Sequence, residues 1–341
     1  MKKRLIVLAA SLFLIAGLAA QASAAKTTFL LDWIIYGKHA PFFVAKDMGF
    51  FKKAGLDVEY RRGFGSGDTI KKIAAKVAPF GFADAASLVN ARANSDVKVK
   101  EVAMIHAKTI MVAMFLSDKP FKSPKDMAGV TIGSPPANAT KIVFPIFAKL
   151  NGIPLSSVKW IDMPYGAVLP SLLAGRIDAA LFYATELPTA QPKAKKMGKT
   201  IKWFSYGDHG VEVYNNGLIA HEDTIKSNPK FVRNMTRSVM EAFAWSLTHP
   251  DKAIENFLKY APGMSEPIIR GHFAVMVEYL FDEGVRRHGL GYMDHTKMDN
   301  TVETMTKLQN LKKRVPTKDM YTNRFLPQWP ELKAALGDKV M

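Results

Sequence analysis

The segment Gly63-Phe64-Gly65-Ser66-Gly67-Asp68 sets three glycines and a serine ahead of a stretch with helical spacing. Backbone N–H groups at such a helix start attract anions, so Ser66 and Gly67 are candidate anion ligands. The turn misses two stricter phosphate patterns. Asp68 stands where the dinucleotide fingerprint has its last glycine, and no Gly-Lys-Ser/Thr follows. An ordinary strand-to-helix turn and a ligand loop both remain open. Ser134-Pro135-Pro136-Ala137-Asn138-Ala139-Thr140 is the matching turn later in the chain, where Asn138 either caps a helix or leaves N–H groups facing a ligand. Ring stacking is the second chemistry on offer. Trp33, Tyr36, Phe64, Tyr165 and Tyr183 stand at strand ends or in turns, whereas Phe243 and Trp245 fall among aliphatics at helical spacing and read as core. Metal and nucleophile chemistry finds little support. His209 and Glu212 sit between glycines rather than on a helix, no Gly-x-Ser-x-Gly turn occurs, and the chain has no cysteine. No metal, cofactor or catalytic group is expected.

The elements that must position these residues alternate in an α/β pattern. Short apolar runs near residues 28–33, 56–61, 80–83, 98–106 and 110–116 predict strands of a first lobe, with a helix from His39 to Ala54 stopped by Gly55. A fresh α/β unit begins after Ser117 and runs to about residue 213. A strand then returns near 213–220, and the remainder reads as helices. The expected organisation is residues 25–116 and 214–341 as lobe 1 and 117–213 as lobe 2. Two crossings between lobes make a hinge. The stacking candidates then fall at the strand ends, where an open α/β sheet presents its ligand crevice.

Lys+Arg of 47 against Asp+Glu of 30 gives a net charge of +17, a balance compatible with nucleic acid, an anionic membrane or an acidic ligand. The first residues narrow this. Met1-Lys2-Lys3-Arg4, the apolar stretch Leu5 to Ala20 and the small-x-small Ala22-Ser23-Ala24 predict a signal peptide cut after Ala24 rather than a membrane anchor. Loss of Lys2, Lys3 and Arg4 takes +17 to +14. A lipid anchor needs a cysteine after the leader, and none exists. The expected product is a soluble exported protein in a bacterial periplasm, monomeric and without a nucleic-acid partner; Lys193 to Lys202 and Lys312 to Arg314 read as solvated faces.

Leu31-Asp32-Trp33 and the run His39-Ala40-Pro41-Phe42-Phe43-Val44-Ala45-Lys46-Asp47-Met48-Gly49-Phe50-Phe51-Lys52-Lys53-Ala54-Gly55-Leu56-Asp57-Val58 resemble the opening of the thiamine-pyrimidine family of periplasmic binding proteins. Phe82-Ala83-Asp84-Ala85 and Leu173-Ala174-Gly175-Arg176-Ile177-Asp178-Ala179 resemble two later segments of that family. The resemblance implies a two-lobed type II binding-protein fold, a small-molecule ligand between the lobes and a membrane permease of the ATP-binding-cassette class as partner. It extends to relatives that bind sulfonate, nitrate or flavin, and to eukaryotic pyrimidine synthases with a cysteine-rich iron motif that this chain lacks. In pyrimidine-binding relatives an aromatic residue stacks on the ring and a second-lobe carboxylate takes ring N–H groups. Trp33 or Tyr36 with Tyr165 or Tyr183 match the stack, and Glu186 matches the carboxylate, though a charge complementing a helix start reads equally well there. Asp32, His39, Asp84 and Tyr214 complete the expected ligand set. A sulfonate, nitrate or aromatic acid would use Ser66, Gly67 and Asn138 instead, and a sensory module handing its state to a receptor is a further reading of the same fold.

Overall fold

The computed structural model describes residues 26–328 and 330 of the chain. The expected signal peptide and its cleavage after Ala24 lie outside the described residues. Ten strands are present among them: β1 (Lys26–Leu30), β2 (Asp57–Arg61), β3 (Phe80–Asp84), β4 (Val99–Met104), β5 (Met111–Leu116), β6 (Thr131–Ser134), β7 (Lys159–Asp162), β8 (Ala179–Tyr183), β9 (Ile201–Ser205) and β10 (Asn216–His221). They form two five-stranded sheets, ordered β2-β1-β3-β10-β4 and β7-β6-β8-β5-β9. Within each, four strands run parallel and a fifth, the first after a crossing between the lobes, is inserted antiparallel. β10 enters between β3 and β4, and β5 between β8 and β9.

That insertion corrects the expected boundary. β5, read from the sequence as the last strand of lobe 1 with the change near Ser117, pairs with Phe182 and Ser205 through Val112 and belongs to the second sheet. All six of its residues are buried. A strand apolar on both faces carries no pattern to say which sheet takes it; pairing decides. The first crossing is therefore 105–110, and the second is 206–215. The helix expected from His39 to Ala54 is also divided, into Ala40–Asp47 and Phe50–Lys53, because Gly49 adopts φ 77° between them.

Aromatic packing holds each lobe. Phe29 on β1 meets Phe42, Tyr60 and Phe80 at centroid distances of 5.4, 5.3 and 5.5 Å, and in lobe 2 Phe147 stacks on Tyr206 at 4.3 Å. The C-terminal helices serve both lobes. Pro229–Thr248 and Pro250–Leu258 cover Ala40–Asp47 of lobe 1. Glu266–Glu278 touches the single turns Gly37–His39 of lobe 1 and Ala184–Glu186 of lobe 2, and His295–Gln309 lies on helices Ala85–Ser95 and Ala139–Leu150, one from each. Among the described residues no helix is long and apolar enough to cross a membrane.

Candidate functional site

The C-terminal end of β1 runs into Asp32 and Trp33, and the loop beyond turns Tyr36 and Lys38 into the same cleft. Asp32 is 3% exposed and fully engaged. Lys38 Nζ and Asn216 Nδ2 donate to its Oδ2 at 2.5 and 2.9 Å, and His39 Nε2 lies 2.9 Å from Oδ1. His39 Nδ1 faces the Tyr36 amide, which leaves Nε2 as the nitrogen carrying the proton to Asp32. Burial raises the Asp32 carboxyl, but Lys38 and His39 more than offset it and hold the group well below the usual carboxylate range. Burial lowers Lys38, with Asp32 opposing; its ammonium is ringed by Tyr36, Phe82 and Tyr183 at 5.4, 5.5 and 4.8 Å.

Lobe 2 answers with the end of β8 and the turn after it. Glu186 stands where helix Leu187–Lys196 begins, yet its side chain makes no capping bond. It turns into the cleft instead. Its Oε2 accepts from the Tyr165 hydroxyl at 2.8 Å, and its Oε1 is buried without a hydrogen-bond partner. Burial pushes the Glu186 carboxyl up to about 7, with Tyr165 and Lys38 pulling the other way. An orphaned buried carboxylate oxygen costs stability, which makes it conspicuous.

Between these groups lies a cavity of about 20 Å³, lined by Asp32, Trp33, Tyr36, Lys38, Gly65, Ser66, Asn138, Ala139, Phe182, Tyr183 and Glu186. That is room for a water and not for a ring. The lobes are closed on it. The Tyr36 hydroxyl and Thr185 Oγ1 are 2.8 Å apart, and the Gly67 N–H donates to the Ala137 carbonyl at 3.3 Å. Gly65, at φ +116°, comes so near that a Cβ there would lie 2.2 Å from the same oxygen. His272, on helix Glu266–Glu278, adds a latch: its Nδ1 accepts from the Gly37 N–H at 3.2 Å and its Nε2 meets Thr189 Oγ1 of lobe 2 at 2.7 Å. Outside this cavity is a vestibule of about 720 Å³ bounded by Arg62, Phe64, Asp68, the Pro135–Pro136–Ala137 turn, Asp162, Met163 and Tyr165. Trp33 lines both spaces and meets Tyr165 edge-on at 5.1 Å.

Seven expected site residues thus converge on the inner cavity: Asp32, Trp33, Tyr36, Ser66, Asn138, Tyr183 and Glu186. Phe64 and Tyr165 line the vestibule. Four lie elsewhere. His39 is beneath Asp32 and acts on it; Gly67 has its amide committed to Ala137. Asp84 caps helix Ala85–Ser95, accepting from the Ser87 N–H at 2.6 Å and from Asn215 Nδ2 at 3.0 Å. Tyr214 belongs to the second crossing, where its hydroxyl accepts from the Asp294 N–H at 2.8 Å. Asn138 also spends its side chain locally, on Thr140 N–H, Ser134 Oγ and the Leu181 carbonyl. Sequence reasoning missed Lys38, which lines the cavity, and Asn216, which like His39 supports Asp32 from beneath. For Lys38 the available signal is a lone lysine inside the aromatic and apolar run Tyr36–Phe43; Asn216 carries no signal, since a polar residue opening a strand is commonplace. Among the described residues no group of three His, Asp or Glu side chains is placed to hold a metal.

Two lobes joined by two crossings, each sheet with one antiparallel strand placed directly after a crossing, and a cleft at the parallel strand ends define the two-lobed binding-protein fold of the type II class. The alkanesulfonate-binding protein SsuA of Xanthomonas axonopodis pv. citri has this fold, matching with a TM-score of 0.69 at 11% identity over 88% of this chain and 99% of that one. The chain belongs to the NMT1/THI5 like family, whose model matches residues 37–253. The formylaminopyrimidine-binding protein of Halalkalibacterium halodurans is 26% identical over 71% of this chain and 72% of its own length. The riboflavin-binding protein RibY of Chloroflexus aurantiacus is 24% identical over 90% and 88%, and a 4-amino-5-hydroxymethyl-2-methylpyrimidine phosphate synthase of Aspergillus parasiticus 22% over 88% and 87%.

Proposed function

We propose that this chain is the exported, monomeric solute-binding component of an importer of the ATP-binding-cassette class, and that it carries a small heteroaromatic ring, pyrimidine-like or flavin-like, between its lobes to a membrane permease. The observation that supports this best is the buried Glu186 carboxylate with one oxygen free beside the Trp33–Tyr165 pair. With the lobes parted enough to widen the inner cavity, a flat ring lying on Trp33 with an N–H toward Glu186 Oε1 satisfies that oxygen, and Lys38 Nζ offers a donor to a ring nitrogen or carbonyl. A bare sulfonate or nitrate fares worse here. It meets the Glu186 carboxylate, while the Gly67 amide and the Asn138 side chain are already spent within the protein. Binding with more contacts in the closed arrangement shifts an open–closed equilibrium, and no bond is made or broken.

The test is a thermal-shift and calorimetric screen of the exported chain against pyrimidines, flavins, aromatic acids, aliphatic sulfonates and nitrate. Ligand at 100 times its dissociation constant adds about 2.7 kcal/mol, enough to move the midpoint by several degrees. A stoichiometric response to pyrimidines or flavins supports the ring. A response to small anions alone moves the ligand to the helix-start turns. Turnover without stoichiometric binding favours a synthase on the same fold.

A further inference from the structure

Arg62 is the charged group of the vestibule that nothing neutralises. Two carboxylates border the same space, and both are already paired, Asp68 with Lys72 at 2.7 Å and Asp162 with Lys141. Arg62 forms no ion pair with a carboxylate among the described residues. Its Nε donates to the Gly63 carbonyl at 3.3 Å, and its guanidinium carbon lies 4.4 Å from the centre of the Phe64 ring. Phe64 is itself 56% exposed, an aromatic wall fixed between Arg62 and Lys72 at the mouth of the cleft. The rest of the wall is apolar at Pro135, Pro136 and Met163. The vestibule therefore presents an unpaired cation beside a large open volume.

We propose that the vestibule is a second ligand subsite that takes an anionic substituent, a phosphate or carboxylate, carried by a ring seated between the lobes. The inference rests on the ring reading above. Its geometry follows from two side chains that face both ways: Trp33 lines both spaces, and Tyr165 sends its hydroxyl inward to Glu186 while bordering the vestibule. A ring on Trp33 with its N–H on Glu186 has its substituents leaving outward, toward Arg62. The guanidinium keeps terminal N–H groups for a bidentate contact with an oxyanion, and a phosphate fits a space of about 720 Å³ where the inner cavity of about 20 Å³ has none to give.

The test compares each of two ring compounds with its phosphate monoester by calorimetry on the exported chain: 4-amino-5-hydroxymethyl-2-methylpyrimidine with its phosphate, and riboflavin with flavin mononucleotide. In the pair whose ring binds, the ester is expected to bind about tenfold tighter at low salt, a preference that shrinks as salt is raised. Arg62→Gln brings the ratio of the two affinities close to one. Equal affinities in the wild type overturn the subsite, as does a ratio that Arg62→Gln leaves unchanged or inorganic phosphate binding as tightly as the ester. Binding by no member of either pair overturns the ring reading itself, and the subsite with it.

Discussion

Glu186 titrates where its surroundings matter most. With its carboxyl raised by burial to about 7 against an ordinary value of 4.5, the folded chain holds this proton over a range where the unfolded chain has lost it. Stability contributed by this group is accordingly lost as pH rises from about 4.5 through about 7, and Glu186→Gln should unfold at higher temperature than wild type above that window and equally below it. Ligand binding runs the other way. A ring N–H needs the carboxylate, so affinity should improve as pH rises toward about 8 and fall about tenfold per pH unit well below about 7, a dependence that calorimetry finds missing in Glu186→Gln. Lys38 makes a separate prediction. Removing its charge leaves Asp32 buried with His39 and Asn216 alone, so Lys38→Met should cost about 3 kcal/mol in denaturant unfolding, and the pair Lys38→Met with Asp32→Asn should recover most of it.

At the level of elements, closure depends on helix Glu266–Glu278 reaching across the cleft. Burial lowers His272 to about 3, so the ring is neutral; its Nδ1 is taken by the Gly37 N–H, and Nε2 donates to Thr189. Thr189→Val removes that bond from lobe 2 alone and should raise the ligand's dissociation rate about two- to tenfold in stopped-flow tryptophan fluorescence, with little change in stability. Such bridges were beyond the sequence, because helical spacing on Glu266–Glu278 says that a face is buried and not against which lobe. The strand ends, by contrast, were legible: strand-then-helix punctuation placed Trp33, Tyr183 and Glu186 at turns, and those turns open on the cleft. Asp84 illustrates the limit. An acid at the end of a strand reads alike as ligand group or helix cap, and the Ser87 N–H settles it as a cap. β5 failed for want of polarity, since a wholly apolar strand fits the middle of either sheet.

For the whole molecule, one place where the two lobes meet is Gly67 and Ala137, where a Cβ added to Gly67 would lie 3.7 Å from that of Ala137. This is within disulfide reach, and the chain has no cysteine to interfere. Gly67→Cys with Ala137→Cys should therefore staple the cleft shut when oxidised, abolish ligand association, and regain it with a reductant. The chain order of the strands has a consequence for how the protein assembles. Lobe 2 is one continuous stretch from β5 to β9, so all five of its strands are present as soon as residue 205 has emerged. Lobe 1 is interrupted: β3 and β4 have no partner between them until β10 arrives more than a hundred residues after β4. An excised 109–207 fragment should accordingly fold cooperatively by circular dichroism while 26–108 should not. A chain that emerges from its N-terminus thus completes its second lobe first, and its first lobe waits with two open sheet edges, the interval in which a chaperone would protect it.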